Sequence, residues 1–320
     1  MKGYAPNPCT NLLSFLKERL GFLCDRCMDI KMTNSVPKIA AIHDMSGYGR
    51  CSLTVILPII SALGCQVCPI PTAILSNHSE YKDFYFYDCT EHIEKYYENW
   101  ELNSLKFDCM YSGFLGSQKQ IDIIIDILSK MKANNNTLAV VDPVMGDHGK
   151  VYRTYNQEMI DKMGELVKHA DIITPNFTEA SILLKKEYTT EKLDIVILKE
   201  YLKNLSNMGP KTVVMTGIHT SDDVHANLCY DKAKDEYYII PYEYVNIRFP
   251  GTGDLFTSLF VGYLYRGKSV PEAIEEASRF VTLSVKTTLL ENSDRKNGVA
   301  FEKIMKDLYN ELDSYNYKKI

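Results

Sequence analysis

The chain has 320 residues, 45% hydrophobic and 24% charged, a profile that fits a soluble globular protein of one large α/β domain or two small ones. A net charge of −5 argues against nucleic acid as the main partner, and no apolar run is long enough to span a membrane. The nine cysteines are odd in number and scattered, which excludes a secreted disulfide framework and points to the reducing cytoplasm.

Residues 1–36 stand apart as an N-terminal extension. Asn11 to Cys27 reads as an amphipathic helix, with Leu12, Phe15, Leu16 and Leu20 apolar and Lys17, Glu18 and Arg19 polar. A signal peptide would need a longer uncharged core. The segment is either an accessory helix or sequence upstream of a start at Met28 or Met32. Cys24 and Cys27 form a lone CxxC without a second ligand pair, so no zinc or redox site is expected there.

From Lys38 the pattern becomes regular. Ile39–Ile42 reads as a buried strand, His43–Gly49 as a loop, Arg50–Leu63 as a helix containing Pro58, and Gln66–Pro71 as a second strand. Further strands are expected at Phe107–Tyr111, Leu138–Val141, Asp171–Thr174 and Thr212–Thr216. Helices are expected over Gln118–Lys132, Gln157–His169, Asn176–Leu184 and Asp194–Ser206. Asn227–Tyr230 and Tyr237–Pro241 read as a hairpin. Three helices should close the chain, ending near Tyr265, near Thr287 and at Leu312. No linker or repeat divides residues 37–320. The expectation is one domain with a mostly parallel sheet covered by helices on both faces.

In such sheets ligands bind beyond the carboxyl ends of the strands, and the polar clusters here follow strands. Asp142-Pro143-Val144-Met145-Gly146-Asp147 presents two carboxylates after a strand, either a capped turn or a seat for hydrated Mg²⁺. Thr174-Pro175-Asn176 with Glu179 opens a helix; capping alone explains it, or Asn176 contacts phosphate and Glu179 backs the metal. Thr216-Gly217 ends a strand, as an ordinary exit or a nucleotide contact. Asp44-Met45-Ser46-Gly47-Tyr48-Gly49 is not GxGxxG, so a dinucleotide fingerprint is unsupported. Ser76-Asn77-His78-Ser79 is a polar loop after the second strand.

The strongest stretch is Gly251-Thr252-Gly253-Asp254, followed by an apolar run at helical spacing. A helix's first turn carries unpaired N–H groups and partial positive charge, and glycines let an anion approach closely. A carboxylate in the same turn can take a proton from a hydroxyl beside that anion. Asp254 as a plain N-cap is the alternative for the stretch taken alone. Together, an anion turn, a base and paired acids are the parts of phosphoryl transfer, without a Walker sequence or a protein-kinase glycine loop.

With these motifs the chain resembles the ribokinase-like superfamily, and within it the pyridoxal (vitamin B6) kinases, from about Ile39 to Thr287. The Gly251–Asp254 stretch matches the superfamily's anion hole and catalytic aspartate. Asp142–Asp147 and Thr174–Asn176 with Glu179 match motifs shared with hydroxymethylpyrimidine kinases. Ser76–Ser79 and Tyr111-Ser112-Gly113-Phe114 favour the pyridoxal branch.

The resemblance implies a three-layer sandwich and ATP-dependent phosphorylation of the vitamin's 5′-hydroxymethyl group. It makes Asp254 the base and assigns the γ-phosphate to the N–H groups of Gly251, Thr252 and Gly253. Asp142, Asp147 and Glu179 would surround Mg²⁺, and Asp142, Asn176, Thr216 and Gly217 would line the ATP site. Asp44, Ser46, Ser79 and Phe114 would face the vitamin, with Asp44 departing from a serine found in many relatives. Members are typically homodimers and often use K⁺. A hydroxymethylpyrimidine kinase, a sugar kinase and a non-catalytic vitamin or nucleotide sensor remain as alternatives.

Overall fold

The computed structural model describes residues 35–291 and 293–320, so the expectations for residues 1–34, including the helix and Cys24/Cys27, lie outside the described residues. Strand β1 (Lys38–Ser46) is buried on both faces. Ile39 and Ala41 pack into one apolar cluster, Ala40 and Ile42 into the other, as the two-residue period of a strand requires. The sheet continues through β2 (Gln66–Leu75), β3 (Phe86–Asp88), β4 (Cys109–Ser112), β5 (Leu138–Val141), β8 (Ile172–Ile173), β9 (Thr212–His219), β10 (His225–Asp231), β11 (Glu236–Pro241) and β12 (Lys318–Lys319). A small hairpin, β6 (Gly146–Asp147) and β7 (Lys150–Val151), stands outside it.

The spatial order is β12-β11-β10-β9-β8-β5-β4-β1-β2-β3. The strands from β9 to β2 run parallel, and antiparallel strands close both edges. The order reverses between β1 and β4, which places a switch-point crevice at their carboxyl ends.

Helices cover both faces. On one side lie α1 (Leu53–Ala62), α7 (Thr252–Tyr265) and α8 (Val270–Glu291); on the other, α3 (Gln118–Asn134), α4 (Gln157–His169) and α6 (Ile195–Asn207). Helix α7 is buried from Leu255 to Tyr263, so it is apolar nearly all round. It approaches α1 closely at Gly262, where a methyl group would meet the Leu63 side chain at 2.3 Å.

Most expected elements are present, with instructive differences. The first strand extends through Ser46, so Asp44 lies on a strand rather than in the expected loop. The last helix is a 3₁₀ helix over Phe301–Tyr309. Helix α2 (Thr90–Leu102) and edge strand β3 were not expected. The α2 stretch buries only Thr90, Ile93 and Tyr97, too narrow a stripe to stand out from a polar sequence.

The fold also buries His43 completely. Neither ring nitrogen has a hydrogen-bond partner, and the ring meets Tyr111 edge-on at 4.4 Å. Burial depresses its pKa from 6.5 to about 3. The unfolded chain therefore binds a proton that the folded chain refuses between those values. The resulting stability is complete above about pH 6.5 and is lost as pH falls, at about 1.4 kcal/mol per unit. Urea midpoints taken from pH 7 to pH 5 should fall more steeply for the wild type than for His43→Leu; equal slopes would refute this.

Candidate active site

A cavity of about 1490 Å³ lies at the carboxyl ends of the parallel strands. Asp44 and Ser46 from β1, Phe114 after β4, Asp142 after β5, Thr174 and Asn176 after β8, and Thr216 and Gly217 from β9 line it. Ser79, Asp147, Glu179 and Gly251–Asp254 complete the expected set, so the structure brings every sequence-predicted site residue to this one cavity.

The anion turn is built by Gly251, which caps α7 at φ 77° and ψ 2°. As at any helix start, the first N–H groups of α7 have no intrahelical acceptors, and the Gly251 carbonyl starts the helix by accepting from Leu255 N–H at 2.9 Å. Asp254 follows in the first turn. Its Oδ2 accepts the Ser52 N–H at 2.8 Å. Among the described residues Oδ1 accepts no hydrogen bond. The side chain keeps some contact with the cavity, yet the protein encloses it, and its pKa rises to about 7. Burial is the main cause, opposed by the Ser52 N–H and reinforced by the Asp44 charge.

Ser52 is a residue that sequence reasoning missed. It sits at φ 50° and ψ −136°, unusual for a residue with a side chain. That conformation turns its N–H to Asp254 while its Oγ donates to Asp44 Oδ1 at 2.6 Å. Ser46 Oγ donates to Asp44 Oδ2 at 3.1 Å. Burial raises the Asp44 pKa, and these two hydroxyls oppose the rise. No motif marks Ser52; only the backbone excursion reveals it.

Asp142 and Glu179 are also buried, with Asp142 near enough to Asp254 to feel its charge. Burial raises both pKa values well above the carboxylate range; the charge of Asp254 adds to the shift at Asp142, and the charge of Asp142 to that at Glu179. Glu179 Oε1 accepts Met145 N–H at 3.1 Å, and Oε2 accepts Asn176 N–H at 2.9 Å. Asn176 Oδ1 accepts Glu179 N–H at 3.0 Å, so these residues form a complete capping box on α5 (Phe177–Leu183). Asn176 Nδ2 donates to the Gly146 carbonyl at 2.9 Å. The capping reading is thus present in the structure, beside whatever these residues do for a ligand. Asp147 pairs with Arg248 at 2.9 Å.

These acids suit a divalent cation that arrives with phosphate. Among the described residues no three metal-binding side chains converge into a ready cage. A hydrated Mg²⁺ instead takes one or two carboxylates and completes its shell with phosphate and water oxygens. Buried carboxylates that repel one another are what such an ion would relieve.

The phosphomethylpyrimidine kinase family model matches residues 57–298 of this chain. The chain belongs to that family. A Bacteroides thetaiotaomicron protein named as a phosphomethylpyrimidine kinase, in a crystal form with pyridoxal, is 39% identical. That match covers 89% of this chain and 100% of the other, with a TM-score of 0.85. Pyridoxal kinase from Lactobacillus plantarum is 27% identical over 86% of this chain and 98% of its own, with a TM-score of 0.78. Pyridoxal kinase from Arabidopsis thaliana is 28% identical over 79% of this chain and 80% of its own. The fold is therefore ribokinase-like, and the chain is related to the pyridoxal kinases. The family match begins at Leu57, after Asp44, Ser46 and Ser52, so those three residues rest on the structure described above rather than on the family model. No helix among the described residues is long and apolar enough to cross a membrane.

Proposed function

We propose that the chain transfers the γ-phosphoryl group of ATP to the 5′-hydroxymethyl group of pyridoxal, pyridoxamine or pyridoxine. One observation carries the reading: a carboxylate with pKa about 7 stands in the first turn of α7, directly after a left-handed glycine cap and within the cavity. Similarity to pyridoxal kinases and to a protein crystallised with pyridoxal supports the vitamin as acceptor.

The hydroxyl proton passes to Asp254 as the substrate oxygen bonds to the γ-phosphorus. The bond between that phosphorus and the β–γ bridging oxygen breaks, and ADP leaves. Ser52 holds Asp254 Oδ2 so that Oδ1 addresses the substrate. The N–H groups of the Gly251–Gly253 turn meet the charge that gathers on the transferring group. Asp142 and Asp147 would hold Mg²⁺ with Glu179 behind them; bound there, the ion neutralises phosphate charge. Thr216 and Gly217, which line the cavity from β9, would take the nucleotide, and Asp44, Ser46, Ser79 and Phe114 would face the vitamin.

A reducing cytoplasm, K⁺ activation and a homodimer belong to the same proposal. Free thiols at Cys51, Cys65, Cys68, Cys89, Cys109 and Cys229 support the first; resemblance to the pyridoxal kinases supports the other two. The matched family's own description, phosphomethylpyrimidine kinase, favours a methylpyrimidine acceptor, hydroxymethylpyrimidine or its phosphate, as the second reading. An ADP-release assay against the three B6 vitamers and hydroxymethylpyrimidine separates them. At least one vitamer should turn over well above the pyrimidine; turnover of the pyrimidine alone would reverse the assignment.

A further inference from the structure

Arg248 leads directly into the anion turn, yet its guanidinium reaches across to the β6–β7 hairpin. Its Nη2 lies 2.9 Å from Asp147 Oδ2, and the two side chains are 44% and 30% exposed. Asp147 Oδ1 accepts the His148 N–H at 2.8 Å. Both oxygens of this acid are thus engaged by the protein, and the pair ties together two segments that line the cavity. The hairpin end is itself fixed, because Asn176 Nδ2 holds the Gly146 carbonyl. While the pair stands, Arg248 competes with a cation for Asp147 Oδ2, and Asp147 competes with a phosphate for the Arg248 guanidinium.

The surrounding charge makes this arrangement unstable toward a polyphosphate. Asp142, Glu179 and Asp254 line the same cavity, and each of them repels an incoming anion when ionised. The other cations lining the cavity are Lys82, Lys150, Arg153 and Lys296. The Lys296 ammonium lies 5.6 Å from the Tyr81 ring, and Lys150 stands opposite Asp147 in the β6–β7 hairpin without an ion pair to it among the described residues. Arg248 is the cation that closely precedes the Gly251–Asp254 turn in the chain and pairs with Asp147. A partly exposed carboxylate pair is weak, whereas a guanidinium on phosphate makes short, two-pronged, charge-assisted bonds.

We infer that Arg248 and Asp147 form an exchange latch: an arriving polyphosphate draws Arg248 onto its own oxygens and releases Asp147 to the cation that accompanies it. Arg248 is then a nucleotide-binding residue in the loaded state and a brake on metal binding in the empty one. The inference rests on the nucleotide site proposed above.

The latch predicts effects of opposite sign from one substitution. Isothermal titration with ADP in EDTA reads the phosphate arm, and electron paramagnetic resonance of Mn²⁺ added to nucleotide-free protein reads the metal arm. R248Q should bind ADP about tenfold more weakly, the loss of a charged hydrogen bond, while binding Mn²⁺ alone several-fold more tightly. R248K should fall between R248Q and wild type on the ADP arm, and D147N should weaken Mn²⁺ without weakening ADP. If R248Q weakens both ligands, or changes neither, in a protein that still phosphorylates a vitamer, the latch is wrong and the kinase reading stands. If the wild type binds no ADP with or without Mg²⁺, the nucleotide site falls and the latch with it.

Discussion

Asp254→Asn is expected to lower kcat by about 10²–10⁴-fold, the usual contribution of a positioned general base, while ADP binding survives. The amide keeps the size of the carboxylate and an oxygen for the Ser52 N–H, but it cannot take the substrate's proton. Stability should move the other way. Asp254 is enclosed beside Asp44 and Asp142, and the folded protein pays for that crowding at neutral pH. The variant's melting temperature should therefore hold or rise. The pH profile supplies a third readout. Activity of the wild type should rise with pH through an inflection no higher than about 7, where Asp254 becomes a free base, and this inflection should vanish in the variant. Full activity in Asp254→Asn would remove the residue from the mechanism, and a collapsed melting temperature would recast it as a structural group.

The opposite effects on turnover and stability bear on what was legible in the sequence. Gly251–Asp254 stood out because few folds need two glycines and an acid ahead of an apolar helix. The strand-end acids at Asp142 and Asp147 were legible for the same reason: polar residues directly after buried runs. Asp44 was found, but its setting was misread, because a strand that ends in Asp-Met-Ser looks polar until Ser46 and Ser52 are seen to cover the carboxylate. Ser52 itself was invisible. Its role depends on a backbone angle, and a serine in a loop gives no hint of one. The bond of Arg248 to Asp147 is not legible in the sequence, since it joins residues about a hundred positions apart. Local chemistry could be read in order along the chain; partners brought together by crossovers of the sheet could not.

The anion turn allows a sharper test of backbone against side chain. Gly251→Ala should damage both activity and stability. A methyl group there would sit 2.0 Å from the Arg50 carbonyl oxygen and 3.1 Å from the Cys51 Cα, and no rotamer can relieve a clash with backbone. The left-handed backbone alone costs an alanine about 1–2 kcal/mol, and the shift needed to clear Arg50 adds to it. That shift would move the segment carrying the Ser52 N–H, so the base loses its anchor together with the turn; kcat should fall on the order of 10²–10³-fold. Gly253→Ala is the informative contrast. Its methyl group would lie 4.0 Å from Asp142 Oδ2, an ordinary contact, and Gly253 has no positive φ to strain. It should melt like the wild type yet lose activity, because the added carbon occupies the space through which a phosphate reaches the turn. Thermal melting and kcat/KM on both variants decide the matter. Should Gly253→Ala keep wild-type activity, no phosphate approaches that turn, and Asp254 would lack the reacting group it is proposed to serve.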